Sequence, residues 1–80
     1  MKKIERLFQY LDFKGIAHTS FEKKAKIANG YLNKVKIKGS DLGNNVIDKI
    51  LIEARDLNKV WLLTGEGEML NIKNNEAEIY

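Results

Sequence analysis

Lys23, Lys24, Lys26, Lys34, Lys36 and Lys38 crowd one stretch of the chain, and Glu22 is the only acid beside them. Ammonium groups at that density suit a polyanionic partner. The competing reading is six solvated lysines on an ordinary surface. The whole chain sharpens the contrast. Residues 1–40 hold ten Lys/Arg against three Asp/Glu, a charge of +7, and residues 41–80 hold four against eight, a charge of −4, which together give the net +3. Such a split is expected of a molecule with one face toward a polyanion and another turned away.

The other reactive side chains form no constellation. His18 is the only histidine and the chain has no cysteine, so neither a metal site nor a general base is expected. Asp41, Asp48, Glu53 and Asp56 are spread along the chain without a convergent pair. The glycines of TGEGE, Thr64 to Glu68, lack the lysine and hydroxyl of a phosphate loop and read as a helix stop followed by a tight turn. Trp61 reads as a core anchor. No enzyme, no cofactor and no small-molecule ligand is expected.

Eighty residues at 44% hydrophobic content make one domain with a small core. No apolar run approaches the roughly 18 residues of a membrane span, and Met1 to Lys3 lead into no signal-peptide segment. The expectation is a soluble cytoplasmic protein, not one at a membrane.

The elements that must position the lysines follow from apolar spacing. Ile4, Leu7, Phe8 and Leu11 mark an amphipathic helix ending near Gly15. Thr19 and Glu22 have the spacing of a capping box opening a second helix, with Phe21 and Ala25 inward. The next segment, IANGYLNKVK, poses a choice, because Asn29-Gly30 is a strong hairpin signal. Its upstream flank, KKAKIA, makes a poor strand, whereas Phe21, Ala25, Ala28, Leu32 and Val35 continue a helical period. Two helices with a break near Lys26 to Asn29 satisfy both facts, the second starting around Ala28 or Asn29 and ending before Gly39. Val46, Ile47, Ile50, Leu51 and Ala54 mark a fourth helix capped by Asn44 or Asn45. DLNKVWLLTG gives a fifth, capped by Asn58 and stopped by Gly65. In it Leu57, Trp61 and one or more of Val60, Leu62 and Leu63 point inward. The polar residues after Leu70 are either a frayed tail or a strand in search of a partner. The expected fold is all-α, a compact bundle of five short helices over residues 1–70. Residues 71–80 form a tail, a linker or a dimerisation segment.

SFEKKAKIANGYLNKVKIKGS resembles the motif of the lambda-repressor-like helix-turn-helix family. The five-helix layout closed by DLNKVWLLTGEGEM is similar to the N-terminal DNA-binding domains of phage-type repressors. The resemblance covers about residues 4 to 70 and rests on Phe21, Ala25, Ile27, Leu32, Val35 and the WLLTGEGEM ending. Two positions depart from it. The family usually has a small residue where Glu22 stands, and glycine where Lys26 stands. Lysine can still take the left-handed turn there at a modest cost.

The resemblance implies that the third helix, about residues 28–37, is a recognition helix in the major groove. It implies base contacts from Ala28, Asn29, Gly30, Asn33 and Lys34. The side-chain chemistry agrees: asparagine pairs bidentately with adenine, lysine donates to guanine, and a methyl meets thymine. Asn29 and Asn33 would share one face, although Asn29 also suits an N-cap. Ser20, Lys23, Lys24, Tyr31, Lys36 and Lys38 are the phosphate candidates, with Tyr31 half in the core and Lys38 alternatively plain surface. The expected partner is double-stranded DNA at a pseudo-palindromic operator. It would be bound, at the nucleoid of a bacterial or phage-encoded system, by a homodimer whose subunits join through the fifth helix and tail, around Leu62, Leu70, Ile72 and Ile79, with repression by occupancy. The alternatives are a protein-interaction module of the antitoxin or adaptor kind and a structured-RNA binder.

Overall fold

Five helices account for most of the backbone that the computed structural model describes, which is residues 2–71. Ile72, Ile79 and the rest of the expected tail beyond Asn71 lie outside the described residues. Helix α1, Lys3–Lys14, buries Ile4, Leu7, Tyr10 and Leu11 at the expected spacing and leaves Phe8 half-buried. Glu5 accepts a 2.8 Å hydrogen bond from the Lys2 backbone N–H, satisfying a donor the helix itself cannot. Gly15 ends α1 in the left-handed conformation.

Helices α2 (His18–Ala25) and α3 (Tyr31–Lys38) follow, then α4 (Asn44–Glu53) and α5 (Lys59–Thr64). Helix α1 packs on α3 and α5, and α2 packs on α3 and α4. Leu7 and Leu11 from α1, Phe21 from α2, Leu32 from α3, Ile50 from α4 and Leu62 from α5 meet in one core. Each such side chain stabilises the fold by about 1.5–3 kcal/mol through burial, which lets short helices hold where isolated ones would melt. Trp61 belongs to this core.

Several end-of-helix expectations change. Gly43, and neither Asn44 nor Asn45, is the residue before α4, with both asparagines in its first turn. At α5 the expectation holds: the Asn58 side chain accepts from the Val60 N–H at 3.0 Å, and Gly65 closes the helix at φ 84°. Leu62 is the inward residue, at 0% exposure, while Val60 is exposed. Leu62 therefore has no surface to give to a dimer face, and Leu70 is itself half-buried. The segment that closes the domain pairs with the loop before α5. Asn58 N–H donates to the Met69 carbonyl and Asn71 N–H to the Asp56 carbonyl, both at 2.8 Å, around an antiparallel bridge between Leu57 and Leu70.

That loop is also tied to α1. Asp56 accepts from the Tyr10 hydroxyl at 2.6 Å and from Lys14 at 2.7 Å. Burial works against ionisation of Asp56, but these two hydrogen bonds outweigh it and hold the carboxyl below its usual range. Burial first, and then the same hydrogen bond, push the Tyr10 phenol upward. Among the described residues no helix is long and apolar enough to cross a membrane.

Candidate nucleic-acid interface

The connection between α2 and α3 is built by two left-handed residues. Lys26 ends α2 at φ 61°, ψ 40°, the only non-glycine residue with positive φ among those described. Ile27 then drops its side chain into the core, with its N–H on the Glu22 carbonyl at 2.9 Å. Ala28 and Asn29 stay outside, and Gly30 at φ 86° turns the chain into α3. No strand follows Asn29-Gly30; the pair is the turn of a helix-turn-helix.

This geometry revises the expected start of the third helix. It runs from Tyr31 to Lys38, so Ala28, Asn29 and Gly30 form the exposed turn that leads into it. Asn29 and Asn33 do not lie one turn apart on a shared helix, and no side chain of the residue preceding α3 caps it. The cap comes from the previous helix. Glu22, at 1% exposure, accepts from Gly30 N–H at 3.0 Å and from Leu32 N–H at 2.8 Å. The Thr19–Glu22 capping box is accordingly absent: Ala17 precedes α2 without a side-chain cap, and the Glu22 carboxylate reaches forward across the turn. The physical reason is that a buried carboxylate needs strong donors, and the orphan N–H groups at the start of α3 are the nearest. Glu22 thus occupies donors that would otherwise be open to a phosphate.

Leu32 and Val35 are the buried residues of α3. Asn33, Lys34, Lys36, Ile37 and Lys38 are exposed. Gly30, Asn33, Lys34 and Ile37 fall at i, i+3, i+4 and i+7, which is one stripe along the outer face. Ser20, Lys23 and Lys24 are exposed on α2 at the same kind of spacing. The structure therefore leaves all the expected base-contact residues at the surface, in the turn and on the outer face of α3. The expected phosphate-contact residues divide. The side chains of Lys23, Lys24 and Lys38 make no ion pair or hydrogen bond with another described residue, and neither does that of Lys34 among the base-contact candidates. Lys36 sits 4.5 Å from the ring centroid of Phe8, a cation–π placement that ties α3 to α1 while the side chain stays exposed. Tyr31 is half-buried against the core, and its hydroxyl accepts from Gly43 N–H at 3.4 Å.

Three cations finish helix ends and were not visible as such from spacing. Lys49 of α4 donates to the Lys26 carbonyl at 3.1 Å, the end of α2. Lys2 donates to the Gly39 carbonyl, the end of α3. Arg6 donates to the carbonyls of Leu62 and Leu63 in α5 at 2.8 and 3.2 Å. Ile37 is the other residue that sequence reasoning passed over, although the inward pair Leu32 and Val35 already leaves it on the outside. Comparison with protein-family models, with curated proteins and with solved structures finds no match.

Proposed function

We propose that this domain binds double-stranded DNA in a sequence-specific manner and acts as a transcriptional repressor or regulator. The observation that carries the reading is the outer face of α3. A short helix fixed at both ends by side chains from elsewhere in the fold presents Asn33 and Lys34 beyond an exposed Ala28-Asn29-Gly30 turn. Amide and ammonium groups in that arrangement have the donors and acceptors that base edges in the major groove demand. Lys23 and Lys24 on α2, with Lys36 and Lys38 on α3, supply charge for the flanking phosphates. Few contacts come from a domain this small, so the functional unit is a homodimer on a pseudo-palindromic site.

Selection from a random duplex library, followed by a salt titration on the recovered sequence, tests the proposal. The expected result is a motif with dyad symmetry whose affinity falls steeply with salt. Binding that is weak and indifferent to sequence would overturn it. In that case Ile52 and Phe13, both largely exposed, would direct the search to a protein partner.

A further inference from the structure

Ile37 is 75% exposed, the highest exposure among the large apolar residues described, and it stands between Lys36 and Lys38. Folding gains nothing from it there. A β-branched residue is also a mediocre helix former, so local propensity does not account for it. A single exposed isoleucine on an ordinary surface would call for no explanation. This one continues the stripe of Gly30, Asn33 and Lys34, one turn beyond the polar pair, on the face opposite Leu32 and Val35.

The inference rests on the DNA-binding reading and refines it. Base edges in the major groove offer hydrogen-bonding groups and one apolar group, the C5-methyl of thymine; 5-methylcytosine carries the same methyl. We infer that Ile37 is a specificity-determining residue that recognises a pyrimidine C5-methyl, in unmodified DNA a thymine, next to the base pairs met by Asn33 and Lys34. Its stiff χ1 means that little rotamer freedom is lost on contact. The helix thus reads hydrogen-bonding groups in one turn and an apolar group in the next.

The test uses the full chain and the selected operator, with each thymine of a half-site replaced singly by uracil, which removes only the methyl. A second series methylates each cytosine at C5. For the unaltered protein one thymine-to-uracil exchange should weaken binding about fourfold, the ratio that burial of one methyl-sized group corresponds to. Ile37→Ala should abolish the sensitivity at that position. Ile37→Val, which keeps the branch, should retain it. Any thymine read by the methyl of Ala28 would keep its sensitivity in Ile37→Ala and so stays distinguishable. If the sensitivity lost in Ile37→Ala is instead to a methylated cytosine, the methyl-reading role stands and the source of the methyl is a modified base.

Ile37 touches no part of the core, so both variants should melt with the unaltered protein, and the melts verify that a loss of binding is not a loss of fold. Tight binding to a defined motif with no uracil or methylcytosine effect would overturn the inference while leaving the function intact. So would an effect unchanged in Ile37→Ala. Failure to select any motif would overturn both.

Discussion

Glu22 shows how one residue can connect sequence, fold and function. Its two carboxylate oxygens take separate backbone donors, Gly30 N–H and Leu32 N–H, at the entrance to α3. Removing a carboxylate from water is costly, and charge-assisted bonds to two orphan N–H groups offset that cost while setting where α3 begins relative to α2. Glu22→Gln keeps the shape but offers one acceptor oxygen and turns an NH2 group toward a donor. One buried N–H then loses its partner, a penalty of about 1–3 kcal/mol. Urea unfolding should show a loss of that size, with Tm lower by roughly 5–15 °C for a domain of this length. Equal midpoints for the two proteins would mean that the carboxylate is not needed as a double acceptor. Sequence spacing alone misdirects here. Thr19 and Glu22 stand three apart, as in a capping box, yet the acceptor is drawn to donors eight and ten residues ahead, and no local pattern encodes that choice.

Among the elements, inward faces were legible, and ends were legible only where a local residue sets them, as Gly15, Asn58 and Gly65 do. Ile4, Leu7 and Leu11, Phe21 and Ala25, Leu32 and Val35, and Ile47, Ile50 and Ala54 are all buried as their spacing requires, because burial of one stripe governs each short helix. Other ends depend on partners elsewhere: Lys49 finishes α2, and Lys2 and Glu22 bracket α3. For the same reason the residues proposed to contact bases all lie at the surface as expected, while their division between turn and helix was not legible. The turn itself carries a measurable strain. Lys26 holds a left-handed conformation that costs an L-residue roughly 1–2 kcal/mol, against about 0.5–1 kcal/mol of extra chain entropy lost by a glycine. Lys26→Gly should therefore stabilise the domain by about 0.5–1 kcal/mol, since the carbonyl that accepts Lys49 is backbone and is retained. A thermal melt should move up by a few degrees. A lower Tm would show that the Lys26 side chain contributes packing that outweighs the relief of strain.

At the scale of the whole molecule, the charge split of the sequence overstates the field available to a partner. Of the basic residues in the first half, Lys2 and Arg6 are spent on helix-end carbonyls, and Lys3 and Lys14 pair with Asp41 and Asp56 at 3.2 and 2.7 Å. The acids that make the second half negative are partly the counterparts of these cations, so the division between halves is in part an internal neutralisation. What is left uncommitted is concentrated on α2, the turn after it and α3, in Lys23, Lys24, Lys26, Lys34 and Lys38. Counterion release turns this division into numbers. Each phosphate neutralised contributes about −0.9 to the slope of log affinity against log salt concentration. Lys23→Gln should weaken binding to all sequences alike and make that slope shallower by about one for each protomer bound. Lys14→Gln removes the same formal charge from a lysine already engaged with Asp56. It should leave the slope nearly unchanged and register in the stability of the contact between α1 and the loop before α5. Equal changes of slope in the two variants would mean that DNA responds to net charge alone, and that the arrangement of free lysines around α3 does not define the binding face.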